Sequence, residues 1–219
     1  MTLQKVVIIG AGGFGREVLD VLEAANQVSP TFEIIGFISD PEYQLPGTLI
    51  NNQPVLGGFD WLAAHKAEAK AICGVGSPAA RQNMIQQAAK LGVEFFSVIH
   101  PRAITTRWMT LGEGSIITAG CILTNNITIG NHVHLNLDCT VGHDAVLEDF
   151  VTVSPGVHIS GNVTLKRGSF IGTGANIIEG KTIGEGSVIG AGSVVVKDIP
   201  DHVTAVGIPA KPIKTHSVK

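Results

Sequence analysis

From Leu111 to Val195 every sixth residue is leucine, isoleucine or valine, fifteen positions without a break. Glycine directly follows this residue at Leu111, Ile129, Val141, Ile171, Ile183 and Ile189. A period of six matches neither the 3.6-residue helix nor a strand that alternates inside and outside. It matches a parallel β-helix, in which each hexapeptide supplies one flat side of a coil and three of them close one turn of about eighteen residues. The run is long enough for about five turns. Two residues before each aliphatic position stands a small or modest residue, for example Cys121, Cys139, Ala145, Ser169, Ala175 and Ser193, with Lys181 the exception. A narrow prism holds one branched side chain per side and little beside it. After Val195 the register ends, and the proline-rich residues 197–213 are expected to cover the last coil, whose backbone groups would otherwise be open.

Residues 1–99 have another texture. Lys5–Ile9, Phe32–Ile38, Ala71–Gly74 and Phe95–Val98 read as strands, and Gly15–Ala25, Phe59–Lys70 and Pro78–Leu91 as helices. Strands alternating with helices imply a small parallel sheet with helices on its faces. Asp40–Gly58, with three prolines, reads as a loop. His100-Pro101-Arg102 marks the boundary, giving an α/β domain over 1–99 and a β-helix domain over 100–219.

The chain has 219 residues and a net charge of −3, so it carries no basic footprint for nucleic acid. Its three cysteines, Cys73, Cys121 and Cys139, have neither zinc-ligand spacing nor the even count of a disulfide framework, which favours a reducing, cytoplasmic setting. The apolar start, Val6–Gly15, is too short and glycine-rich to span a membrane.

The register sorts the histidines. Val141 points inward, so Gly142 leaves room for a ligand and His143 lies at or outside the wall, with Asp144 beside it to fix its tautomer. Histidine is the side chain suited to take a proton near neutral pH. The alternative is that His143 is simply an outward polar residue, as His132 is expected to be. His134 and His158 precede inward residues and are expected to face outward, in structural or interface roles. Cys121 and Cys139 occupy the small inward slot and read as packing residues. Gly161, eighteen residues after His143, together with Thr173, Gly190, Ala191 and Gly192, could line a groove for an extended ligand, or the glycines could merely turn corners. Lys197, Lys211 and Lys214 could meet phosphates or be solvated.

In the first half, Gly10-Ala11-Gly12-Gly13-Phe14-Gly15 follows a strand and opens a helix, a layout suited to a phosphate. Asp40 ends the second strand and could bond a ribose or start a turn. Gly76-Ser77 opens the next helix at the same sheet edge, and Arg81 within it reads as a phosphate partner or an ion-pair residue.

The hexapeptide run and the ending Val206-Gly207-Ile208-Pro209-Ala210-Lys211 resemble the left-handed β-helix acyltransferases that use acetyl-CoA. The whole layout, a glycine-rich α/β domain, then Ile99-His100-Pro101, then the coil, is similar to the sugar acyltransferases that include sialic acid O-acetyltransferases. The closest subgroup is that of the bacillosamine and perosamine pathways, which acetylates the 4-amino group of nucleotide-linked 4-amino-4,6-dideoxy sugars. The resemblance implies a Rossmann-like α/β domain followed by a left-handed parallel β-helix. It implies a homotrimer with its active sites between neighbouring coils, and acetyl-CoA as co-substrate. It also implies His143 as general base for direct transfer, with Asp144 as its support. The glycine loop would then bind the nucleotide and Asn136 the acceptor sugar. Thr152 falls where the bacillosamine enzyme carries a second histidine, and is counted with Gly161, Thr173, Gly190, Ala191 and Lys211 as an acetyl-CoA residue. Phe14 also replaces a histidine, and Asp144 a glutamate. Acetylation of a hydroxyl, a non-catalytic nucleotide-binding scaffold and, more distantly, a dehydrogenase are the competing readings.

Overall fold

A computed structural model describes residues 3–216 and divides the chain into two compact units, Met1–Pro101 and Arg102–Lys219. In the first unit the apolar run Val6–Ile9 forms the buried C-terminal part of strand β1 (Gln4–Ile9). It pairs in parallel with β2 (Phe32–Ile38) and, on its other edge, with a strand at Lys70–Cys73. Helix α1 (Gly13–Val28) buries Gly15, Val18, Leu19 and Leu22, a spacing that sets one face on the sheet. It begins two residues before the predicted start and ends three after the predicted end.

The predicted loop at 40–58 is a hairpin instead. β3 (Leu49–Ile50) and β4 (Gln53–Gly57) are antiparallel, and β4 then joins β2 in parallel. The turn is Asn51-Asn52, both with positive φ, 46° and 63°. A two-residue turn of that kind needs left-handed backbone at both positions, which asparagine tolerates. The second predicted helix stops early: α2 spans Phe59–His65, and β5 (Lys70–Cys73) begins where the helix was expected to end. Helix α3 (Pro78–Lys90) starts at Ser77, whose hydroxyl accepts a bond from the Ala80 amide. Phe95 makes only an isolated bridge to Ala71, and the last short strand, β6, is Val98–Ile99.

The second unit winds as the period dictates. Side one is built from strands ending at Leu111, Ile129, Leu147, Leu165 and Ile183. Side two ends at Ile117, Leu135, Val153, Ile171 and Ile189, and side three at Leu123, Val141, Ile159, Ile177 and Val195. All pairings are parallel between residues eighteen apart, such as Val141 with Ile159. From Ile117 to Val195 the sixth-residue side chains are at most 2% exposed. Leu111, at the open first coil, is only half-buried.

The corners follow their own rule of six. From Gly114 to Gly192 every sixth residue has positive φ. Most of these are glycine, asparagine or aspartate, the residues that adopt left-handed backbone most easily. Phe150 and His132 are costlier occupants, and their rings stack at 5.2 Å. The glycines directly after the inward residues do not turn corners: a methyl on Gly142 would stand 2.5 Å from the Gly161 nitrogen, in the backbone of the next coil. Gly142 therefore admits the neighbouring coil rather than a ligand.

The exit segment keeps winding before it folds back. Asp198 accepts from the Thr182 amide and Asp201 from the Glu185 amide, both sixteen residues on. The strand Val203–Gly207 extends side two, and a last strand, Ala210–Thr215, returns antiparallel to it.

Truncating an inward residue leaves a cavity that a stacked coil cannot close. Leu165→Ala is expected to cost about 2–5 kcal/mol, against under about 0.5 kcal/mol for its outward neighbour in Thr164→Ala. Chemical denaturation of the two variants measures the difference.

Candidate active site

His143 and Asp144 occupy the corner between sides three and one. The left-handed backbone of Asp144, φ 58°, turns the chain there and presents both side chains outward, about half exposed. His143 Nδ1 lies 2.8 Å from Asp144 Oδ2. A carboxylate only accepts, so in the neutral ring the proton belongs on Nδ1 and the lone pair on Nε2. The bond from His143, and after it that from Asn126, holds the Asp144 carboxyl below the usual aspartate range. The imidazole lies over Gly161 in the next coil, where a methyl would stand 2.6 Å from both Cε1 and Nε2. Gly161 is not a positive-φ residue, so the ring's space rather than a turn explains it.

The other expected acetyl-CoA residues stand elsewhere on the prism. Thr173 and Ala191 lie at the corner between sides two and three, the opposite edge of side three from His143. Gly190 shares that corner, but its missing side chain is taken up by the exit strand: a methyl there would stand 2.7 Å from Val206 Cγ1. Thr152 lies in the outer row of side two between His134 and Phe170 and is only 2% exposed, which leaves little of it for a ligand to meet. Asn136 is 9% exposed, and its amide donates to the Val153 carbonyl at 2.7 Å. It too belongs to the corner of Thr173 and not to that of His143. Lys211 is exposed in the last strand, Ala210–Thr215, and, with Lys197, borders a hollow of about 210 Å³ walled by Ile199, Pro209 and Pro212.

Two histidines depart from expectation. His132 is buried, because its corner position lays the ring against Phe150. His134 is fully buried, in an outer row of side two that also covers Ile116 and Thr152. His158 is exposed and bonds Thr140 Oγ1 at 2.9 Å. Cys121 and Cys139 are buried, with sulfurs on the carbonyls of Asn136 (3.1 Å) and Ser154 (3.2 Å). Their mutual hydrogen bond pulls the Cys121 thiol down and, with burial, pushes the Cys139 thiol up.

The first unit holds a cavity of about 370 Å³ at the carboxyl ends of β1 and β2. Gly10, Ala11, Gly12 and Asp40 line it, with apolar walls from Tyr43, Phe59 and Met84 that the sequence reading missed. Gly10 has φ 97° and a methyl on it would stand 2.8 Å from Val75 Cγ2, and a methyl on Gly15 would collide with the Gly10 carbonyl. Both glycines thus let the loop fold tightly into the start of α1. Gly12 gives that helix no side-chain cap, while Gly13, Phe14 and Gly15 form its first turn.

Gly76, Ser77 and Arg81 do not line this cavity. The Ser77 hydroxyl is used as the cap of α3. Arg81 is fully buried, and its guanidinium donates to the carbonyls of Val75 (2.9 Å) and Gly76 (3.2 Å). It anchors the turn after β5 rather than reaching a phosphate. Burial lowers its pKa to about 10, and the same burial raises the nearby Cys73 thiol to about 11. Among the described residues no group of histidine, cysteine, aspartate or glutamate is placed to hold a metal, and no helix is long and apolar enough to cross a membrane.

Comparison with known proteins places these features in context. Residues 5–88 match the family described as the PglD N-terminal domain. GDP-perosamine N-acetyltransferase of Escherichia coli O157:H7 is 30% identical over 166 residues, which cover 75% of this chain and 74% of that protein. A solved histidine-to-asparagine variant of perosamine N-acetyltransferase from Caulobacter crescentus, in complex with CoA and GDP-perosamine, superposes with a TM-score of 0.88 at 30% identity, covering 97% of this chain and 98% of its own. The acetyltransferase domain of PglB from Neisseria gonorrhoeae, in complex with acetyl coenzyme A, gives 0.89 at 35%, covering 97% and 100%.

The lowered pKa of Asp144 has a testable sign. The bond to His143 favours the carboxylate, so its stabilisation is present above the ordinary aspartate pKa and is lost as pH falls through the depressed one. Carbon-detected NMR titration should place the Asp144 carboxyl below the usual 3.8 and move it upward in His143→Ala.

Proposed function

This chain belongs to the left-handed β-helix family of acetyl-CoA-dependent sugar N-acetyltransferases, and from that membership we propose that it acetylates the 4-amino group of a nucleotide-linked 4-amino-4,6-dideoxy sugar. The observation that carries this reading is the His143–Asp144 pair, half exposed at its corner, with Nδ1 bound and Nε2 lying over Gly161.

In the proposed reaction the acceptor amine attacks the thioester carbonyl of acetyl-CoA. His143 Nε2 takes the proton that the nitrogen sheds, Asp144 stabilises the resulting imidazolium, and a backbone amide of the coil stabilises the oxyanion. Collapse of the tetrahedral intermediate breaks the carbon–sulfur bond, and the imidazolium returns the proton to the departing CoA sulfur. Nitrogen becomes an amide, no covalent acyl-enzyme forms, and the base is regenerated. Burial of Cys121 and Cys139 supports this direct route, since no thiol among the described residues is exposed to carry the acetyl group.

The cavity of the first unit is proposed to hold the nucleotide. Its glycine floor lets backbone approach a diphosphate, Asp40 can accept from a ribose hydroxyl, and Tyr43 and Phe59 offer apolar walls to a base. Acetyl-CoA is assigned to the corner of Thr173 and Ala191, with Lys211 near its phosphates. Because that corner and His143 lie on opposite edges of side three, a second copy is needed to bring the two together, and a trimer does so with three equivalent sites. Exposed Ile122, Leu137 and Ile178 on and beside side three supply apolar surface for such a contact. A cytoplasmic setting, where acetyl-CoA is available, goes with three free thiols.

Thiol release from acetyl-CoA, measured against a panel of nucleotide-linked 4-amino sugars and matching 4-hydroxy sugars, tests the assignment. One amino sugar is expected to be turned over, and His143→Ala to lower kcat by about 10²–10⁴-fold with both substrates still bound. Turnover of the hydroxyl sugars alone would move the reaction to oxygen, and equal rates for the two proteins would remove His143 from the mechanism.

A further inference from the structure

The corner that carries His143 is stacked, and its upper neighbour bears on the pair. Asn126 lies one coil above Asp144, eighteen residues earlier, and both have the same left-handed backbone, φ 53° and 58°. Two residues with matched backbone in adjacent coils send their side chains out in parallel. Asn126 Nδ2 accordingly donates to Asp144 Oδ1 at 3.2 Å, while Asp144 Oδ2 accepts from His143 at 2.8 Å.

We propose that Asn126 is a positioning residue for the acetyl transfer: its amide clamps one carboxylate oxygen of Asp144 so that the other stays directed at His143. This rests on the assignment of His143 as the base.

The geometry separates this role from general packing at the corner. A carboxylate held at one oxygen can rotate away from the imidazole, and one held at both cannot. Asn162, stacked on the other side of Asp144, turns its amide to Glu179 Oε1 at 3.3 Å and leaves Asp144 to Asn126. The charged side chains sharing the corner are Arg107, Asp144, Glu179, Lys181, Lys197 and Asp198, while His158 on side three is turned to Thr140. Of these, only Asp144 bonds the ring, so the amide that fixes Asp144 is the next group to control its direction. The bond from Asn126 also contributes, after that from His143, to keeping Asp144 ionised.

Two substitutions isolate the amide without straining the turn. Glycine and aspartate both tolerate left-handed backbone, so Asn126→Gly removes the donor and Asn126→Asp replaces it with an acceptor of the same shape. In the ligand-free protein, Asn126→Asp should move the NMR titration of the Asp144 carboxyl upward, because a second carboxylate beside it opposes its ionisation. Asn126→Gly should raise the Asp144 carboxyl titration and lower kcat by about three- to tenfold, with both KM values within about twofold of wild type.

The NMR arms do not depend on the substrate, so they remain readable if no sugar is turned over, a result that would count against the proposed function instead. Should Asn126→Asp fold poorly, the Asp144 titration in Asn126→Gly carries the test. An Asp144 carboxyl titration unchanged from wild type, or an unchanged kcat in a protein that does turn over a sugar, would overturn the positioning role.

Discussion

The backbone ladder between coils governs everything in the second half of the chain. Each strand bonds the strand eighteen residues away, as when Thr140 donates to Val157 at 3.0 Å and Gly142 to Ile159 at 2.8 Å. These bonds satisfy the polar groups of very short strands, and each coil needs its neighbours to do so. The ladder also makes position along the sequence equivalent to height on a column. His143 must stand over Gly161, and Asp144 beneath Asn126, because no other alignment keeps the inward residues inside. A slip of one residue would turn Val141, Ile159 and Ile177 out to solvent, at about 1.5–3 kcal/mol for each side chain exposed.

Chemistry is placed on this frame at a corner, where side chains are free of the wall. The corner needs left-handed backbone, and aspartate is among the few side-chain-bearing residues that adopt it readily. Asp144 therefore does two things at once: it turns the chain, and it sets a carboxylate beside the ring that turning exposes. Gly161 complements it by omission, since a methyl group there would occupy the space of the imidazole. The first unit uses glycine in a similar way. Gly10 and Gly15 let a loop fold tightly at the carboxyl edge of the sheet, and the cavity opens at that edge. The chain belongs to a family of sugar N-acetyltransferases, and on the proposed reading the corner of His143 supplies its base and the cavity beside Gly10 its nucleotide site.

Much of this was legible in the sequence because it is periodic. The inward aliphatic series, the small slots beside it and the outward position of His143 all follow from counting in sixes. The glycine loop was legible because its residues are contiguous. What escaped depended on pairings that no local pattern displays. The hairpin at 49–57 was read as loop, although Asn51-Asn52 is itself a turn signal once left-handed asparagine is considered. Arg81 looked like a phosphate partner because of its place near a strand end, yet its guanidinium is spent on two carbonyls of its own turn. Thr152 and Gly190 were counted with the ligand residues, but one is barely exposed on its side and the other is filled by Val206. His132 shows the limit of the outward rule, since a corner side chain can lie back on its neighbour. Asn126 was within reach: subtracting one coil from Asp144 finds it.

The central claim is that the corner imidazole meets the acceptor nitrogen. A crystal structure of the protein with CoA and a nucleotide-linked 4-amino sugar tests it most directly. The account predicts the sugar nitrogen within about 3 Å of His143 Nε2, the nucleotide in the cavity beside Gly10 and Asp40, and the CoA sulfur at the same corner, brought there along a neighbouring copy. A sugar nitrogen held by another group, with His143 facing only water, would contradict it.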